Sequence, residues 1–216
     1  MTFQPTPLEA VALFTIVLAI GLGAMSPGPS FVMVARTALA ATPAHGRLAA
    51  LGIGAASLIF SVAAVTGLGV VFLAAEWLFV AVKVAGGAFL VYLGIQMWRS
   101  RGSHAEIEAE RTGGGSRTFL TALLTQMSNP KAIVVYASVF ASALPTNPSL
   151  WLMVAIPVSV AAVETLWYLI VATVLSRQSA QQTYRRWSRA IDRTAGSILG
   201  GLGAWFAVDG VRTALR

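Results

Sequence analysis

Residues 48–75 read LAALGIGAASLIFSVAAVTGLGVVFLAA, 28 positions without one charged side chain. A helix rises about 1.5 Å per residue, so roughly 20 apolar residues cross a ~30 Å hydrocarbon layer. The rest of the chain has the same character. Of 216 residues 56% are hydrophobic and only 11% are charged, and the mean hydropathy is +0.75. Soluble domains carry about 25% charged residues with which to cover themselves. An excess of apolar surface on this scale must face lipid. In lipid, backbone groups are satisfied only inside a helix or a closed barrel, and these runs lack the strict alternation of barrel strands. The sequence therefore predicts an all-α integral membrane protein.

Working outward from residues 48–75, six apolar segments can be read: 8–41, 48–75, 77–98, 118–144, 150–175 and 194–215. Basic residues divide unevenly between their connections. Eleven lie at the three connections after segments one, three and five, against three (Lys83, Arg212 and Arg216) towards the other side. The positive-inside rule puts the rich side in the cytoplasm and both termini in the periplasm. Topology thus accounts for the net charge of +7 without nucleic acid as a partner. The first basic residue is Arg36, which argues against a cleaved signal peptide. There is no cysteine, so disulfides, thiolate metal sites and cysteine nucleophiles are excluded. The linker 99–117 carries Glu106, Glu108, Glu110 and a triple glycine and reads as a flexible solvated loop. Tyr184, Trp187 and Ile191 recur at helical spacing among arginines. They fit either a short helix on the inner membrane surface or an irregular basic loop.

Two segments are interrupted. Segment one holds Ser26-Pro27-Gly28-Pro29, and segment four holds Ser128-Asn129-Pro130-Lys131. Proline removes a donor and clashes with the preceding turn, so each helix breaks there. Aligning Pro29 with Pro130 also pairs Val32 with Ile133, Val34 with Val135, Thr37 with Ser138 and Ala40 with Ala141. A second echo relates Lys83-Val84-Ala85-Gly86 to Arg193-Thr194-Ala195-Gly196. The expected architecture is one transporter domain over residues 1–216. Its two halves, about 8–98 and 118–216, are inverted three-helix repeats, and helices one and four are broken at the proline motifs. Interrupted segments at matching places in two halves point to a transporter's binding site. From Arg117 to Pro130 is about 20 Å of helix, which places that break within the membrane. Segment one, about 50 Å long if straight, either begins in the outer interface or bends at Pro27 to Pro29. Gly196 and Gly200 form a small-xxx-small pair and read as a packing feature.

These motifs, together with Gly46, Gly52 and Gly54 and the glycines from Gly86 to Gly94, resemble the lysine/threonine exporter family (LysE/RhtB) over nearly the whole chain. The resemblance implies export of an amino acid or close derivative across the bacterial inner membrane, driven by an ion gradient. The substrate is left open, as is a homodimer.

Ionisable residues at depth are costly and mark function by default. Lys131 is the fourteenth residue of segment four and Glu164 the fifteenth of segment five, so both lie where they could meet. On the functional reading, Lys131 and the half-helix after Pro29 attract a substrate carboxylate, and Glu164 takes the ammonium or a coupling proton. The alternative is a static pair that only orders two helices. The candidate site is therefore Pro27, Gly28, Pro29, Asn129, Pro130, Lys131 and Glu164. Ser57, Ser61 and Thr66 either line a polar path or bond their own backbone, the commoner case. No cofactor and no resident metal are expected. A metal cation as cargo needs more donors than one buried acid, Glu164. Both histidines fall in loops, so an intramembrane hydrolase reduces to a Ser–Lys131 pair. The sequence argues for a transporter, with another small solute as the rival cargo, and against an enzyme.

Overall fold

The computed structural model describes residues 6–26, 28–40, 42–74, 76–99, 114–174 and 178–214. Pro27 and most of the acidic linker lie outside them. The described residues form eight helices: α1 (Pro7–Met25), α2 (Pro29–Ala40), α3 (Pro43–Ala74), α4 (Glu76–Arg99), α5 (Gly115–Met127), α6 (Pro130–Ala143), α7 (Leu150–Val174) and α8 (Gln178–Ala214). Both interruptions read from proline are present. The first apolar segment is split between α1 and α2, and the fourth between α5 and α6. Among the described residues, three stretches are long and apolar enough to cross a membrane: Pro7–Met25, Ala44–Gly67 and Leu150–Val174.

Apolar side chains cover the outside. Phe14 is 67% exposed, Val154 62% and Trp205 66%. A patch of this kind would not be tolerated in water, and it suits lipid. The interior holds two apolar clusters. One joins Ile16, Ile20, Leu90, Val139, Ile156 and Leu199 from α1, α4, α6, α7 and α8. The other joins Phe31, Val34, Ile53, Ala122 and Val171 from α2, α3, α5 and α7. The breaks fall between them: α1 and α6 enter the first cluster, α2 and α5 the second. The chain is thus arranged so that polar residues at the breaks occupy the seam between two apolar cores.

Glycines set how closely the helices approach. A Cβ added at Gly87 of α4 would stand 2.6 Å from the backbone nitrogen of Ala207 in α8, and one at Gly94 would stand 2.5 Å from the Gly196 carbonyl oxygen. Only backbones without side chains come this near, so the packing reading of the Gly196 region holds. Gly54 likewise lets α3 cross α7 against Thr165. At the start of α1, Thr6 and Glu9 form a capping box, and the second Glu9 oxygen accepts the Ser149 N–H at 2.9 Å. This carboxylate ties the beginning of α1 to the beginning of α7.

The stretch around Tyr184, Trp187 and Ile191 is helical, but it is continuous with the last apolar segment in the 37-residue α8 rather than a separate surface helix. No proline lies between Gln178 and Ala214, and the glycines at 196, 200 and 203 sit where α8 meets α4.

Candidate functional site

The two breaks are joined to each other. Asn129 precedes Pro130 in extended conformation (φ −76°, ψ 109°), and its side-chain oxygen accepts the N–H groups of Lys131 at 3.0 Å and Ala132 at 3.4 Å. It thereby caps α6, as asparagine does at helix starts. The amide nitrogen of Asn129 donates to Ser30 Oγ at 3.0 Å, on the far side of the first break. Ser30 in turn donates to Gln126 Oε1, and Gln126 Nε2 donates to Glu164 Oε2 at 3.0 Å. Ser57 of α3 donates to the same Glu164 oxygen. A chain of hydrogen bonds therefore runs from one interruption through the other to Glu164, with Ser30, Ser57, Gln126, Asn129 and Glu164 all buried. Unpaired polar groups are costly in such surroundings, so the network fixes how the two breaks face each other.

Lys131 makes the second link. Its ammonium donates to the carbonyl oxygens of Gly23 and Ser26, each at 3.1 Å, where α1 ends. Those carbonyls carry the negative end of the helix dipole and have lost their intrahelical donors. Gly28 lies beside the lysine stem, where an added Cβ would meet Lys131 Cδ at an ordinary contact distance of 3.6 Å. Trp167 Nε1 donates to Ala24 O at 3.2 Å and fastens the same helix end to α7.

Lys131, Glu164, Gly28 and Asn129 line one cavity of about 30 Å³, together with Ser30, Gln126 and Tyr136. Ligand sites measure about 300–1,000 Å³, so the space between these polar groups is smaller than a ligand site. The expectation that Lys131 and Glu164 come together is met at the level of the cavity. They do not form a direct ion pair: Lys131 is held by backbone carbonyls, and Glu164 by Ser57 and Gln126. The static-pair alternative thus loses its contact. Lys131 likewise bonds the backbone carbonyl of Ser26 and not a serine hydroxyl, which is the geometry a Ser–Lys nucleophile would need.

Several members of the site went unread in the sequence. Gln126 and Ser30 flank the breaks and are ordinary helix residues until the breaks face each other. Tyr136 is 3% exposed, with its ring between Phe60 and Phe140, at centroid distances of 5.2 and 6.0 Å. Its buried hydroxyl faces the Ser57, Ser61 and Glu164 side chains. Asp192 is a second correction. Glu164 was expected to be the only buried acid at depth, yet Asp192 of α8 is buried too, at 1% exposure. It was hidden in an arginine-rich stretch that fits either a short surface helix or a basic loop and is in fact part of α8. Of the three hydroxyls on α3, Ser61 and Thr66 bond the carbonyls four residues back, as expected, whereas Ser57 bonds both Ile53 O and Glu164.

Comparison with known proteins matches residues 22–210 to the LysE type translocator family. The chain is 31% identical to the threonine efflux protein of Salmonella typhi over 201 residues, covering 88% of this chain and 94% of the relative. It is 31% identical to the threonine efflux protein of Escherichia coli K12 over 190 residues, 83% and 89% of the two chains. A homoserine/homoserine lactone efflux protein of Salmonella typhi is 30% identical over 142 residues, 65% of this chain and 69% of that one. No solved structure matches the chain significantly.

Proposed function

The chain belongs to the LysE-type translocator family, and on that premise we propose that it exports an amino acid, or a closely related small zwitterion, across the bacterial inner membrane at the expense of an ion gradient. The observation that carries this is the lacing of two helix breaks to each other by buried side chains, inside a membrane protein related to amino-acid efflux proteins. Two inverted halves are supported by part of the contact pattern: α1 packs on α6 as α5 packs on α2, α1 meets α7 as α5 meets α3, and α2 meets α7 as α6 meets α3, whereas the α4–α6 and α2–α3 contacts have no counterpart of that size in the other half. In this reading Gly28, Pro29 and Pro27 form one break, Asn129, Pro130 and Lys131 the other, and the substrate binds between them. Gly28 has no side chain with which to cap α2, so that helix start is left to a carboxylate, with Lys131 as its counter-charge. Glu164 takes the substrate ammonium or a coupling proton.

Export is tested by giving cells a panel of amino acids and toxic analogues. Cells making the protein should accumulate less of at least one and tolerate it better. No change for any member of the panel, with the protein shown to be in the membrane, would refute the proposal. Orientation is tested separately. The native chain lacks cysteine, so single cysteines at Thr2, Ser103 and Ser149 report cleanly. Thr2 and Ser149 should react with an impermeant thiol reagent in intact cells and Ser103 should not; the opposite pattern would invert the topology.

A further inference from the structure

A second cavity, of about 360 Å³, lies on the outer face of the α4·α8 pair, away from the breaks. It is twelve times the size of the cavity between the breaks and within the range of ligand sites. Its floor is backbone, because Gly94 and Gly196 hold α4 and α8 in contact. Its walls are Val91, Ile95 and Trp98 from α4 and Gly200 from α8, with Ile95 and Trp98 about half exposed. One end is basic. Arg99 lines the cavity, and the Arg193 guanidinium stacks on the Trp98 ring at 5.4 Å. The indole N–H donates to Ser197 Oγ at 2.7 Å, which fixes the ring at that end. Arg186 and Arg189 are exposed and, with Arg193, Ser197 and Gly200, recur at spacings of three, four, four and three residues along one face of α8.

We propose that this groove binds an anionic phospholipid, with its phosphate on Arg99 and Arg193 and an acyl chain along Val91, Ile95 and Gly200. An amphipathic tryptophan with arginines at the end of an apolar trough matches a lipid at the membrane interface: headgroup charge at one end, hydrocarbon along the other. Anionic rather than neutral lipid follows from charge complementarity with the arginines on this face. A second copy of the chain is a poorer fit. Inserted in the same direction, it would bring Arg99 and Arg193 against their own counterparts across a twofold axis.

The test offers the full chain, purified in mild detergent, equal amounts of phosphatidylglycerol and phosphatidylcholine, and counts retained lipids by native mass spectrometry. The protein should keep phosphatidylglycerol in preference. The double variant Arg99→Gln with Arg193→Gln should lose that preference about tenfold or more, and the double lysine variant should keep it. Both substitutions are on exposed side chains, so folding is not at stake. Equal retention of the two lipids by the native chain, or an unchanged preference in the glutamine variant, would overturn the proposal. So would efficient crosslinking of Gly200→Cys between copies in phosphatidylglycerol membranes, which would make a second copy the occupant. A preference that appears only after Glu106, Glu108 and Glu110 are changed to glutamine would also overturn it, because the acidic linker would then hold the groove.

Discussion

Replacing Glu164 by glutamine should leave the protein in the membrane at its normal level and reduce export to that of cells lacking it. The amide has the size of the carboxyl and can still accept from Ser57 and Gln126, the two groups that hold Oε2. What it cannot do is carry a charge or exchange a proton, the roles proposed for this buried residue. Lys131→Met should also stop export, and it should cost some stability as well, since the carbonyls of Gly23 and Ser26 lose their donor. The double variant separates the readings. Had the two residues served only to neutralise each other, removing both charges would restore folding and transport. The expected result is that transport stays lost. Its recovery in the double variant, measured as efflux per molecule in the membrane, would remove both residues from the mechanism.

The second large effect concerns packing. Gly87→Leu should abolish most of the folded protein, because even the first carbon of the new side chain would press on the backbone of Ala207 and Gly203 at 2.6 and 2.7 Å. Backbone cannot step aside as a rotamer can. Gly87→Ala should already cost about 1–3 kcal/mol, the usual range for overpacking. Gly201 is the control: nothing lies within 4 Å of an added Cβ there, so Gly201→Ala should be neutral or gain up to about 1 kcal/mol from its better helix propensity. Thermal unfolding of the purified variants in detergent measures both. Equal stability of Gly87→Leu and the native chain would show that α4 and α8 are not in the contact described.

The sequence made some of this legible and hid the rest for definite reasons. Pro29 and Pro130 announce the breaks because a missing N–H and a ring clash act locally, whatever surrounds them. The depth of Lys131 and Glu164 follows from counting residues at a fixed rise. The identity of their partners does not follow, because it depends on how non-neighbouring helices cross. Lys131 could be placed in the right cavity, but its bonding to the end of α1 needed the approach of α1 to α6. Ser30, Gln126 and Tyr136 have no sequence signature of function; they become a site only where the two breaks meet. Asp192 was concealed by its neighbours, since arginines on the exposed face of α8 give the segment the composition of a loop. The last helix was therefore started sixteen residues late, at residue 194 rather than Gln178.

Glu9 and Lys131 act on opposite ends of the same rod. α1 is 19 residues long, about 28 Å. Glu9 holds its beginning against Ser149, and Lys131 grips its end through two carbonyls. A rod anchored at one end moves as a lever when the other end is let go, and a tilt of about 10° at that length carries the free tip about 5 Å. With the lysine drawn away from those carbonyls, the tip would be held at Ala24 by the Trp167 indole alone, a single hydrogen bond in place of three.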